Sequence, residues 1–118
     1  MENETLQMTM LYDFFGDLLT EKQREYYDLY HNEDLSLSEI ARIAGISRQG
    51  VYDIITRAEM ALEEMEMKTG VVHRWTETRA GLERAEALAR ELLQASGGKG
   101  ESAELAMQLV RTLEGLKG

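Results

Sequence analysis

The chain has 118 residues, no cysteine and no proline, and is rich in Ala, Leu, Glu, Arg and Met; it is long enough for one modest core, and disulfides, thiolate metal sites and cysteine nucleophiles are excluded. No apolar run approaches the ~20 residues of a membrane span and the N-terminus lacks the basic start and apolar core of a signal peptide, so a cytoplasmic protein without membrane insertion is expected. The net charge is −9, and it is uneven: residues 1–35 hold two Lys/Arg against nine Asp/Glu, whereas residues 36–60 hold three of each, so long-range attraction to nucleic acid should be weak.

Residues 1–4 are polar and expected to fray. From Thr5 to Leu19 the residues Leu6, Met8, Met10, Leu11, Phe14, Phe15, Leu18 and Leu19 recur at steps of three and four, predicting an amphipathic helix with a wide apolar face that Gly16 weakens or ends. A face that broad covers a core and also suits contact with a second copy. Thr20, with Gln23 three residues later, carries the capping-box signature of the next helix. Tyr26, Tyr27, Leu29 and Tyr30 are its expected packing residues, and His31 and Asn32 mark its end.

Two further helices joined by a tight turn follow from Ser36 onward, the pattern of a helix-turn-helix. Ser36 and Glu39 form a second capping box, and Ser47 is an N-cap candidate before the run that starts at Arg48. Ala41 is small where the second helix crosses. Gly45 can take the positive φ that a sharp turn between helices needs. Ile40, Ala44 and Ile46 fill apolar positions, and Val51 and Ile54 point back at Ile40 and Ala44, leaving the other side of the second helix in solvent.

That second helix runs past the minimal motif. Val51, Ile54, Ile55, Ala58, Leu62 and Met65 form one stripe, so a single helix from Arg48 to about Lys68, closed by Gly70, is expected. A further helix is predicted from about Val72 to Ala95, where Trp75, Leu82 and Ala89 are seven apart, as are Thr78, Ala85 and Leu92, with Arg79/Glu83 and Glu86/Arg90 four apart on the polar side. Residues 96–102 read as a flexible link. A last helix from Ala103 to Leu116 would bury Leu105, Leu109, Val110 and Leu113. The fold class is therefore all-α: a helix-turn-helix domain over 1–70 with a long recognition helix, and a C-terminal helical extension over 71–118 that packs on the core or on a second copy.

The chemistry-bearing residues point to binding rather than catalysis. His31 and His73 lie on different helices without the spacing of a zinc site, and Glu63, Glu64 and Glu66 alternate with Met60, Leu62 and Met65 as a solvated helix face does. The GGKGES segment lacks the glycine spacing and preceding strand of a phosphate loop. No nucleophile–base pair, metal set or cofactor loop is apparent, so a protein with no enzymatic activity and no cofactor is expected. Arg48, Gln49, Tyr52, Asp53, Thr56 and Arg57 face away from the apolar stripe. Arg48 and Gln49 can grip guanine or adenine edges, and Tyr52 and Thr56 can reach phosphate oxygens. Asp53 would repel a phosphate.

Residues 11–59, LYDFFGDLLTEKQREYYDLYHNEDLSLSEIARIAGISRQGVYDIITRAE, resemble the YlxM-like family of small bacterial helix-turn-helix proteins associated with the signal recognition particle. The motif is also similar to region four of the primary bacterial sigma factors, with the TEKQRE helix ahead of the paired helices. The resemblance implies a cytoplasmic regulatory protein, with the particle's GTPase or its receptor as candidate protein partners and DNA or RNA as the ligand of the recognition helix. Onto this sequence it carries Ser47, Arg48, Gln49, Tyr52 and Thr56 as the outward side of that helix; Arg57 joins them from the helical register. A DNA-binding transcriptional regulator and a protein-protein scaffold remain open beside this reading, and a homodimer is expected in either.

Overall fold

The computed structural model describes residues 2–118, with side chains from Leu6 onward. Among these residues the secondary structure is helical throughout: α1 (Glu2–Phe15), a 3-10 turn (Gly16–Leu18), α2 (Glu21–His31), α3 (Leu37–Ala44), α4 (Arg48–Thr69), α5 (Val71–Ala95) and α6 (Glu101–Lys117). The expected fraying of residues 1–4 lies outside the described residues at Met1, and Glu2–Glu4 belong to α1. The first helix stops at Phe15, short of the expected Leu19, because the chain tightens into the 3-10 turn at Gly16. The chain forms two compact units, Met1–Val72 and His73–Gly118.

In the first unit local chemistry sets the helix starts. Thr20 Oγ1 accepts from the Gln23 amide while Gln23 Oε1 accepts from the Thr20 amide, and Ser36 and Glu39 do the same for α3. Each box answers two N–H groups that the first helical turn leaves without partners. Gly45 ends α3 at φ 72°, where a residue with a Cβ would be strained. Gly70 closes α4 in the same left-handed conformation.

α2 is wedged between two clusters because it turns successive tyrosines opposite ways. Tyr27 joins Leu11, Phe15, Leu19, Ala58, Leu62 and Val72, while Tyr26 joins Ile40, Val51 and Ile55. The long α4 passes through both, presenting Val51 and Ile55 to the second cluster and Ala58 and Leu62 to the first. It is the rod on which α1, α2 and α3 are assembled. Tyr30, expected inside, is exposed, since α2 has committed its inward positions to Tyr26 and Tyr27.

The second unit is the α5/α6 pair. Ala89, Val110 and Leu113 form its buried cluster, with Leu82 and Ala85 packed against them. Lys117 Nζ lies 2.9 Å from Glu86 Oε2, and Arg90 Nη2 lies 2.5 Å from Glu114 Oε1 and 3.6 Å from Glu86, which fixes the two helices side by side and antiparallel. The buried face of α6 differs from expectation. Ala103, Ala106, Val110 and Leu113 point inward, while Leu105 and Leu109 are exposed. Leu92 and Thr78 of α5 are likewise outside. Small alanines allow the two backbones to approach, and the leucines a turn away are left at the flank.

Candidate nucleic-acid interface

The helix-turn-helix is built by α3, the turn at residues 45–47 and the first turns of α4. Ile40 and Val51 are fully buried between the helices, with Ala41, Ala44 and Ile54 packed around them, so the angle of α4 is fixed from its inner side. Ile46, expected to fill an apolar position, is 38% exposed because it sits in the turn itself.

The outer side of α4 begins at Ser47. Its Oγ accepts the Gly50 amide at 3.0 Å and caps the helix, so this hydroxyl holds the helix start in place rather than projecting outward. No acidic residue lies in the first turn of α4, which leaves the positive end of the helix dipole uncompensated. Arg48, Gln49, Tyr52, Asp53 and Arg57 are exposed, whereas Thr56 is half-buried against the body. Gln49 Nε2 donates to Asp53 Oδ1 at 3.0 Å one turn along the helix. Arg48, Gln49 and Tyr52 thus share one surface, and the Gln49 amide is already engaged there by Asp53.

Two further side chains of the helix-turn-helix stand exposed that were not among the expected site residues. Arg42 and Ile43 lie on the last turn of α3, both exposed, Ile43 to 68%. The signal was available in the helical register, since neither falls on the Leu37/Ile40/Ala41/Ala44 stripe. With Arg42 the helix-turn-helix carries three exposed arginines, the other two being Arg48 and Arg57 on α4. The exposed side chains of the motif are mixed, three guanidinium groups together with the apolar Ile43, Ile46 and Tyr52.

His31 ends α2 against the rings of Tyr27 and Tyr30 and lies 3.6 Å from Glu59; His73 pairs with Glu77 on α5. Of Glu63, Glu64 and Glu66 on α4, Glu66 does more than face solvent: its Oε1 accepts the Val72 amide at 2.9 Å at the start of α5.

Residues 2–94 match the family of YlxM / p13-like helix-turn-helix proteins, UPF0122. The chain belongs to that family. Over 117 residues, 99% of this chain and 100% of the relative, it is 41% identical to a UPF0122 protein of Halalkalibacterium halodurans. A UPF0122 protein of Thermoanaerobacter sp. (strain X514) is 53% identical over 77 residues, 65% of this chain and 66% of the relative. A third, from Caldanaerobacter subterraneus, is 51% identical over 84 residues, 71% of this chain and 72% of the relative. The chain therefore spans just under two thirds of the Thermoanaerobacter relative and the whole length of the Halalkalibacterium one. No helix among the described residues of this UPF0122 protein is long and apolar enough to cross a membrane.

Proposed function

We propose that this UPF0122 protein is a non-enzymatic regulatory factor of the cytoplasm that contacts nucleic acid through α3 and the N-terminal half of α4. The observation that carries the reading is the capped, outward start of α4, where Arg48, Gln49 and Tyr52 stand exposed on a helix whose inner side is fully packed. That is the geometry by which a recognition helix offers side chains to base edges and phosphates. Arg57 and Arg42 supply flanking charge; Thr56, half-buried, has the smallest share. The resemblance of residues 11–59 to YlxM-like proteins makes the signal recognition particle the setting to test first, with its RNA as ligand and its GTPase or receptor as protein partner.

The experiment is a salt series of binding to labelled particle RNA and to random duplex DNA, with the wild type beside the Arg48→Ala/Gln49→Ala variant. Binding of the RNA that needs both residues supports the particle role. Preference for duplex DNA supports transcriptional regulation, in which case a symmetric dimer must place two α4 helices about 34 Å apart. Binding to neither removes the nucleic-acid reading. The exposed Ile43, Ile46 and Tyr52 favour a protein-contact module as the second reading, and unchanged partner binding in the double variant is its signature.

A homodimer is part of the proposal. Leu6, Phe14 and Leu18 at the N-terminal end, and Leu88, Leu92, Leu105, Leu109 and Leu116 on the α5/α6 pair, are large apolar side chains left in solvent. A monomeric mass by light scattering across micromolar concentrations would refute it.

A further inference from the structure

Away from the helix-turn-helix surface, α1, α2 and α4 enclose a cleft of about 230 Å³. Its aromatic side is Tyr12 stacked on Tyr27, ring centroids 4.7 Å apart and planes within 9°, continued by His31 at 4.2 Å from the Tyr27 ring. Its polar side includes the carboxylates of Asp13 and Glu59. Tyr27 is 1% exposed and forms the floor, with its hydroxyl donating to the Met8 carbonyl, whereas Tyr12 is half-buried at the wall.

The charges around this cleft are poorly balanced. Among the described residues Asp13 has no ion-pair partner, Glu59 has only His31 at 3.6 Å, and Arg24 is taken up by Asp17 at 2.7 Å. The imbalance extends over the unit: residues 1–72 hold fifteen Asp/Glu against six Lys/Arg, while residues 73–118 hold seven of each. The whole −9 thus belongs to the unit that contains the cleft.

We propose that the cleft between α1, α2 and α4 is a receptor for an arginine or lysine side chain from a basic segment of a partner protein. A cation there meets two carboxylates at once, Asp13 without an ion-pair partner among the described residues and Glu59 shared only with His31, beside a wall of stacked tyrosine rings. The volume fits a guanidinium or ammonium group with its methylene stem, and it falls below the about 300–1,000 Å³ of typical small-molecule sites. The acidic unit draws such a segment in from a distance. This surface is independent of Arg48 and Gln49, so the UPF0122 protein can hold a basic protein on one side while the outward side of α4 is engaged or free.

The test uses the full chain and an octa-arginine peptide, titrated by isothermal calorimetry at low and physiological salt, with amide chemical shifts followed by NMR. Three forms are compared: wild type, Asp13→Asn/Glu59→Gln, and the charge-matched control Glu91→Gln/Glu104→Gln. Binding should weaken about tenfold in the cleft variant relative to the control, the combined effect expected of two partly exposed ion pairs, with the wild-type shifts concentrated at Tyr12, Asp13, His31 and Glu59. Equal weakening in both variants, or shifts spread over every acidic surface, would show diffuse attraction and overturn the site. Spermidine displacing the peptide from those same residues while an acetylated octa-lysine does not would confirm that charge is what the cleft reads. Saturable spermidine binding much tighter than the peptide's would instead make it a polyamine site and reject the protein segment. Repeating the titration with Arg48→Ala/Gln49→Ala should change nothing.

Discussion

Gln49 and Asp53 are tied to each other on the exposed side of α4, the amide nitrogen of one 3.0 Å from a carboxylate oxygen of the other. The pair sets a cost on nucleic-acid contact. Gln49 must leave Asp53 before its amide can pair with a base edge, and the carboxylate that remains repels phosphates. Asp53→Ala removes both obstacles, whereas Asp53→Asn removes the charge and keeps a hydrogen-bonding partner. Binding to random duplex should strengthen about three- to tenfold in either variant at low salt, with the gain shrinking as the screening length falls to about 8 Å at physiological ionic strength. Only Asp53→Ala should further change preference among sequences. If neither raises affinity in a fluorescence-anisotropy salt series, the outward side of α4 does not meet a polyanion.

The two core clusters make separable predictions. Ile40 is fully buried between α3 and α4, and Leu62 is fully buried among α1, α2 and α4. Truncating either to Ala should cost about 2–5 kcal/mol in urea unfolding. The milder Ile40→Val should cost about 0.5–1.5 kcal/mol. Because Ile40 sets the angle of α4 to α3, Ile40→Val should weaken nucleic-acid binding beyond what its stability loss explains, and Leu62→Ala should not, once measured where both remain folded.

Much of this was legible in the sequence because its signals are local. The caps at Thr20, Ser36 and Ser47 lie three residues from their partners, and Gly45 and Gly70 close helices at the residues that needed a positive φ. The stripe from Val51 to Leu62 needed only the helical period. What the sequence hid depends on how closely helices approach. Leu105 and Leu109 read as the inner face of α6 by hydrophobicity, yet Ala103 and Ala106 hold it, since packing rewards small side chains where backbones come near. The outward position of Arg48, Gln49 and Tyr52 followed from register alone. The Gln49–Asp53 tie and the half-burial of Thr56 did not, because they depend on rotamers and on the neighbouring body. The cleft at Tyr12, Tyr27 and Glu59 joins three helices distant in the chain, and no spacing rule reveals it.

Tyr27 gives a prediction on the alkaline side. Burial, with the nearby Glu59, Tyr12 and Asp13 adding to it, pushes its hydroxyl from the ordinary 10 up to about 12. The neutral form is the one the fold accepts, so its contribution is complete below pH 10 and is lost as pH rises toward 12. Two pH units correspond to about 2.7 kcal/mol. Tyr27→Phe should therefore unfold less steeply than wild type between pH 10 and 12. At pH 7 it should lose about 1 kcal/mol for the missing bond to the Met8 carbonyl. Parallel alkaline melting curves for the two proteins would show that Tyr27 is not held neutral by the core.

Glu39 and Glu86 govern the acid side, one in each unit. The Ser36 amide and hydroxyl hold the Glu39 carboxyl below the usual glutamate range, and Lys117, with Arg90 behind it, does the same for Glu86. A depressed carboxylate stabilises the fold above its unfolded value, and that contribution disappears as pH falls through the folded one. Glu39→Gln keeps an oxygen that accepts the Ser36 amide but cannot titrate, so it should retain the cap and flatten the acid limb. Glu39→Ala loses the cap at every pH. In the second unit, Glu86→Gln should loosen α6 from α5 most at neutral pH, with faster amide exchange at residues 110–117, and should match wild type once the pH has fallen through the lowered value of the folded carboxyl. Both units are exposed to the same acid, yet only Glu39 variants should move the helix-turn-helix resonances and only Glu86 variants those of α6. Cross-effects between the two sets would mean that the units melt as one cooperative block.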